Sequence, residues 1–266
     1  KLYPLNIQVK AFLLRVNVAT SKNKLYARNI TGEIDLTENS ATASGIKANI
    51  MGGKSVIDIF TQHEFGGHPI RLVMQGNIDV NKTMRRFKIP GYNKVKGRTN
   101  WQGVLTLKHK QDGVLKNLFF QANTSMDNVA INLPTPMTKS AKGKVATYMT
   151  VESVSKNTML LHLVYGEAMS YAMDIDLSDS SARLRRGEFR FKTEAAEIPK
   201  DKILLITGSL WNFSLRDWLD ALDPTSNKDK KSFFGIPVKV DMDILHIAKV
   251  KDKKSRKLSD PRKLPT

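Results

Sequence analysis

Ile70-Arg71-Leu72-Val73-Met74-Gln75-Gly76-Asn77-Ile78-Asp79-Val80 is the stretch that decides the fold. Ile70, Leu72, Met74, Gly76, Ile78 and Val80 fall on one side, and Arg71, Gln75, Asn77 and Asp79 on the other, with only Val73 out of step. Successive side chains of a strand point to opposite faces, so this period of two predicts a half-buried β-strand. Outward from it the pattern recurs. Ile30, Gly32, Ile34 and Leu36 alternate with Thr31, Glu33, Asp35 and Thr37; Trp101, Gly103, Leu105 and Leu107 form a third set, and Val238, Val240, Met242 and Ile244 a fourth. Weaker strands are predicted at Leu118 to Ala122, Val145 to Val151, Met159 to Tyr165, Arg185 to Thr193 and Ile203 to Leu210.

Gly52-Gly53, Gly66-Gly67, Pro90-Gly91 and Asp112-Gly113 supply the backbone freedom or preset φ that tight reversals need, which predicts an antiparallel meander. One helix is expected over 214–222, with Ser214 as cap, Asp217 three residues later, an apolar stripe of Leu215, Trp218, Leu219 and Leu222, and a stop at Asp223-Pro224. Glycine recurs inside the strands at Gly32, Gly76, Gly103, Gly187 and Gly208, where it marks a bend or a close approach to the backbone. The expected class is therefore all-β, one long curved antiparallel sheet.

The 266 residues are 41% hydrophobic, 8% aromatic and 26% charged, a globular composition. The start at Lys1 rather than Met and the basic, proline-containing tail lead us to expect an excerpt of a longer protein. Residues 1–248 read as one elongated segment with loose sub-repeats at 20–97 and 98–222, and 249–266 as a basic tail or the start of a next segment. Apolar stretches such as Met159 to Tyr165 fall far below the roughly 20 residues of a membrane-spanning helix. Without cysteine there is neither a disulfide framework nor a thiolate metal site.

Lys and Arg number 43 against 25 Asp and Glu, a formal charge of +18 that attracts polyanions: nucleic acid or an anionic membrane. Catalytic motifs fail one by one. Lys54-Ser55 after Gly53 resembles the end of a phosphate-binding loop, but Ala48 stands where its first glycine belongs; His63-Glu64 begins like a zinc-protease helix, but Gly67 stands where the second histidine belongs. His109, His162 and His246 lack ligand spacing, and Glu33, Asp35, Asp174 and Asp176 sit where an outward strand face would be. No enzymatic reaction, metal or cofactor is expected. Arg186-Gly187-Glu188-Phe189 superficially matches an RNA-recognition strand, but the apolar faces are aliphatic where a base-stacking platform needs exposed aromatics. A closed basic β-sandwich that binds nucleic acid or another polyanion is the alternative reading, since inward alternation serves a packed core and an open groove equally well.

Ile30-Thr31-Gly32-Glu33-Ile34-Asp35-Leu36, then Gly45-Ile46-Lys47-Ala48 and Gly52-Gly53, resembles the repeat of the AsmA-like family. Asn128 to Asn132 followed by Leu133-Pro134-Thr135-Pro136-Met137-Thr138-Lys139, with Leu184-Arg185-Arg186-Gly187, Ile206-Thr207-Gly208-Ser209-Leu210 and Trp218, resembles its YhdP branch, relatives of TamB. The resemblance covers most of residues 20–222. It implies a hydrophobic β-groove that moves phospholipid between the inner and outer membranes and supports outer-membrane integrity. It also implies a periplasmic location, an inner-membrane anchor outside this chain and envelope protein partners. Ile34, Leu36, Ile70, Leu72, Met74, Ile78, Leu105, Leu107, Val238, Val240, Met242 and Ile244 are the expected lining that touches the acyl chains. If about twenty strands stack at roughly 4.8 Å, the segment extends on the order of 90 Å.

Overall fold

A computed structural model describes residues 7–19, 26–62, 68–87, 89, 91–109, 115–178, 183–192, 194–213, 217 and 235–247. The described chain is almost entirely strand: β1 (Gln8–Ala19), β2 (Tyr26–Thr37), β3 (Ala41–Ile50), β4 (Gly53–Thr61), β5 (Ile70–Asp79), β6 (Val95–His109), β7 (Leu115–Thr124), β8 (Val129–Ile131), β9 (Thr147–Ser155), β10 (Thr158–Tyr165), β11 (Met169–Asp176), β12 (Arg183–Phe191), β13 (Leu204–Phe213) and β14 (Val238–Ile247). They form one 14-stranded sheet in which β1 to β7 and β9 to β14 neighbour each other in chain order and β8 pairs β6 off this path. Among the described residues β1 and β14 do not meet, so the sheet is open. Twelve spacings of about 4.8 Å give it a length of roughly 58 Å, shorter than expected because thirteen strands, not twenty, stand in line.

Every pairing from β1 to β12 along the path is antiparallel. The last two, β12 with β13 and β13 with β14, are parallel, which departs from the expected meander. A parallel neighbour requires the chain to return to the rim from which it started. Here residues 194–203 make that return as a strap across one face of β11 and β12, where Ser170 Oγ accepts from the Ala196 N–H (2.8 Å), Glu188 accepts from the Glu197 N–H (2.6 Å) and Arg186 donates to the Pro199 carbonyl (3.1 Å).

The decisive strand ends one residue sooner than its alternation suggests. Val80 opens a short helix, α1 (Val80–Arg86), because the Asp79 carboxylate accepts the Lys82 N–H at 3.0 Å and caps the turn. The helix expected over 214–222 and the turns at Gly66-Gly67 and Asp112-Gly113 lie outside the described residues, apart from Asp217; so does the tail 249–266. Gly52 and Gly91 do adopt positive φ, at 83° and 76°. The sheet continues without interruption across residues 97 and 98, both in β6. No helix among the described residues is long and apolar enough to cross a membrane.

Two apolar clusters organise the molecule. In the first, Ile46, Ala48, Ile57 and Met74 are only 1 to 7% exposed, and the residues packed against them come from the same side of β1 to β7. A flat sheet with nothing stacked on it leaves its face in water. Burial by same-face neighbours therefore means that the sheet bends round this face and makes it concave. The glycines agree: a Cβ on Gly76 would lie 2.3 Å from Ser55 Oγ and 2.6 Å from the Lys54 carbonyl, and one on Gly103 2.8 Å from the Gln121 carbonyl. On the inside of a bend neighbouring backbones pinch together, and only glycine fits. Register shifts between β1 and β2, β2 and β3, and β3 and β4 add curvature there. The last bulge, at Ser44 and Gly45, is pinned by the Asp58 carboxylate on the outer face, which accepts from Ser44 Oγ (3.1 Å) and Gly45 N–H (2.8 Å).

Candidate functional site

Residues directly opposed in a ladder project to the same side, so the registers can be followed from strand to strand. Starting at Ala11, partners run Ile34; then Ala43, Ile59, Leu72, Leu105, Phe120, Val151, Leu161, Met173, Gly187, Leu204 and Val238. Each of the thirteen strands on the path thus places an apolar residue or glycine in one transverse row. A parallel row runs Ile57, Met74, Gly103, Ala122, Met149, Leu163, Tyr171, Phe189, Ile206 and Val240. None of the ladder-paired positions on this concave face carries a charge. The convex face carries Lys10, Glu33, Asp35, Lys47, Asp58, Arg71, Glu152, Asp174, Arg186, Glu188 and Arg190.

Eleven of the twelve expected lining residues share the concave face. Leu72 opposes Ile59 and Leu105; Ile70 opposes Thr61 and Leu107; Met74 opposes Ile57 and Gly103. Ile78 opposes Thr99, Ile34 opposes Ala11, and Leu36 opposes Val9 and Ala41. Val238, Val240 and Met242 oppose Leu204, Ile206 and Gly208. They are not equally available: Met74 is 7% exposed, whereas Leu72 and Leu105 are half-buried and Val238 and Val240 are 53% and 55% exposed. Ile244 pairs with Ser209 beyond a register shift, which takes its backbone out of the row.

The second cluster closes one rim of the trough. Between β7 and β9 the chain makes a hook over 125–146, and its Val129, Ile131 and Leu133 bury against Val95, Tyr165, Met169, Phe191 and Leu210, with Val80 and Met84 of α1 alongside. The Tyr165 hydroxyl donates to the Met137 carbonyl (3.4 Å), the Tyr171 hydroxyl lies 3.2 Å from the Met137 sulfur, and Tyr171 meets Phe189 edge-on at 4.5 Å. Burial pushes both tyrosine hydroxyls above their ordinary pKa, so they stay neutral in this wall. The peptide bond before Pro136, within the Leu133 to Lys139 motif, is cis. Sequence alternation misses the hook because its alternating run, Val129 to Leu133, is short and is cut off by Pro134 and Pro136. It also misses the lining of β3 and β4: Ala43 is small, and Val56 interrupts the alternation around Ile57 and Ile59.

Beneath the strap, charge is buried on the convex face. Glu188 is 1% exposed and Asp174 2%. Arg186 pairs with Asp174 at 2.9 Å and Arg190 with Glu188 at 3.0 Å, while Thr207 Oγ1 also donates to Glu188. Burial by itself pushes the Glu188 carboxyl up, but the bonds from Thr207, the Glu197 N–H and Arg190, with the charge of Arg190, outweigh it and bring the pKa below its ordinary value. This network fastens the strap, and its side chains point away from the trough.

An open, curved sheet with one uncharged concave face defines a β-trough protein, with no cluster of three metal-ligating side chains among the described residues. The sequence profile described as YhdP protein matches residues 9–254, and the chain belongs to the YhdP family. Comparison with curated proteins and with solved structures returned no match.

Proposed function

We propose that the concave face holds the acyl chains of phospholipids and lets them move along the sheet between the inner and outer membranes of a bacterial envelope. The unbroken apolar row from Ala11 to Val238 carries this reading, because a path for acyl chains needs an apolar contact on every strand. Each buried CH₂ gains roughly 0.8 kcal/mol. Contacts of this kind are non-directional, so neighbouring positions along the row are nearly equivalent and sliding meets only low barriers. The charged headgroup stays in water along the open side. The chain performs no bond chemistry; it stands in the periplasm, is held to the inner membrane by an anchor outside residues 1–266, and works with other envelope proteins. Membership of the YhdP family supports the same reading.

The test is to purify the protein from bacterial cells, extract it with organic solvent and quantify phospholipid by mass spectrometry against a β-sandwich of similar charge. Stoichiometric phospholipid, lost in a Leu72→Asp variant whose circular dichroism is unchanged, is expected. Lipid no higher than in the control, together with salt-sensitive binding of nucleic acid, would overturn the reading in favour of a basic polyanion-binding sheet.

A further inference from the structure

A hollow of about 340 Å³ opens on the convex face over β5, β6, β7 and β9, on the side of the sheet away from the trough. The registers fix what lines it. Gln75 opposes Gln102, Gln102 opposes Asn123 and Asn123 opposes Tyr148, so four polar side chains stand in one transverse row, one from each strand. In the next row Val73 opposes Val104 and Val104 opposes Gln121. The two valines are shorter than the carboxamides and the phenol around them, and they floor the hollow.

Carboxamides on adjacent strands can close on one another, and a neighbouring pair does: Asn77 Nδ2 donates to Asn100 Oδ1 at 3.1 Å, and Asn77 Oδ1 accepts from Arg98 Nε at 2.6 Å. The hollow is different. Gln75, Gln102, Gln121 and Asn123 make no side-chain hydrogen bond to the protein among the described residues, and neither does the hydroxyl of Tyr148, a residue 43% exposed. Each carboxamide therefore offers two N–H donors and a carbonyl acceptor to whatever enters. Charge is nearly absent. Among the described residues that line the hollow Asp58 alone is ionised, and its Oδ1 already accepts from Ser44 Oγ and the Gly45 N–H.

We infer that this hollow binds a neutral oligosaccharide of hexopyranose units, lying across the strands from β5 to β9. Carboxamides that both donate and accept match the vicinal hydroxyls of a sugar, which do the same. The valine floor and the Tyr148 ring give the C–H face of a pyranose an apolar surface with polar groups at its edge. An anionic ligand would find a carboxylate here and no cation in the lining. Strands succeed one another at about 4.8 Å, close to the length of one pyranose unit, so successive strands present a polar side chain to each successive unit. The volume falls within the range of small-ligand sites, about 300 to 1,000 Å³. The inference is independent of the lipid reading, since none of these side chains faces the trough.

Calorimetric titration of the full chain with maltohexaose, cellohexaose and chitohexaose tests the proposal, the three covering α and β linkage and the N-acetylated sugar. Saturable binding of at least one of them, unchanged between low and high salt, is expected, because no ion pair forms. The Q75A/Q102A double variant, at two exposed positions, should keep its circular dichroism and its co-purified phospholipid while affinity falls roughly tenfold, the loss of two neutral hydrogen bonds. Tyr148→Ala should weaken binding to a similar degree and Tyr148→Phe much less, since the ring makes the contact. Unchanged affinity in the folded double variant, or no saturable binding of any of the three by the wild type at millimolar concentration, would overturn the proposal.

Discussion

Leu72→Asp places a carboxylate between Ile59 and Leu105 on a half-buried, uncharged surface. Because the position opens to the trough, the side chain can reach water, and we expect a loss of about 1 to 2 kcal/mol in denaturant unfolding together with loss of bound lipid. The same change at Met74, 7% exposed, strands its charge and should cost at least twice as much. Gly76→Val tests the bend instead. Its Cβ would meet Ser55 Oγ at 2.3 Å and the Lys54 carbonyl at 2.6 Å, and a backbone atom cannot rotate away. A destabilisation of about 2 to 4 kcal/mol is expected by the same unfolding measurement, against less than 1 kcal/mol for a Ser55→Ala control. Equal costs at the two positions would mean that β4 and β5 are not pinched.

At the scale of the element, legibility follows how cleanly each strand separates its two environments. β2, β5, β6 and β14 can be read from alternation because polar and apolar residues take turns along them, with Val73 and Val104 among the exceptions. β1 cannot, because Phe12 and Leu14 put large apolar groups, 66% and 79% exposed, on the convex side of an edge strand. β11 hides for the opposite reason: Ser170 and Ala172 are buried on the convex side by the strap, so both of its faces are covered. The parallel order of β12, β13 and β14 is invisible to periodicity, since side-chain alternation is the same in either direction.

The strap also carries a pH dependence. Glu188 has a folded pKa below its unfolded value of about 4.3, so its contribution is complete above that value and is lost as pH falls through the lower, folded one. Thermal melts should therefore drop as pH falls from about 5 to 3, and Glu188→Gln should flatten that part of the drop while lowering the melting temperature at neutral pH. Cysteines at positions 172 and 196 or fluorine labels on the strap would show whether it leaves the sheet before β1 to β7 unfold. Coincident loss of both would mean that the strap is no weaker than the trough.

For the molecule as a whole, the curled sheet resolves the choice between groove and closed core that alternation leaves open. The apolar rows have no second sheet stacked on them among the described residues; over β1 to β7 they shelter one another through curvature, while over β9 to β13 the hook and α1 fill the rim. No ladder-paired position of the concave face is charged, so raising the salt concentration should leave co-purified phospholipid unchanged while releasing polyanions, a difference that filtration in low and high salt can measure. Lipid that washes out with salt would place it on the basic exterior.

The antiparallel pairing from β1 to β12 has a consequence for growth. One added strand would deliver the chain to the wrong rim, but an added hairpin returns it to the same rim with the same side inward. The trough is therefore a ruler graduated in hairpins, each about 9.6 Å, and a lineage could lengthen or shorten it by whole graduations without redesigning its cross-section.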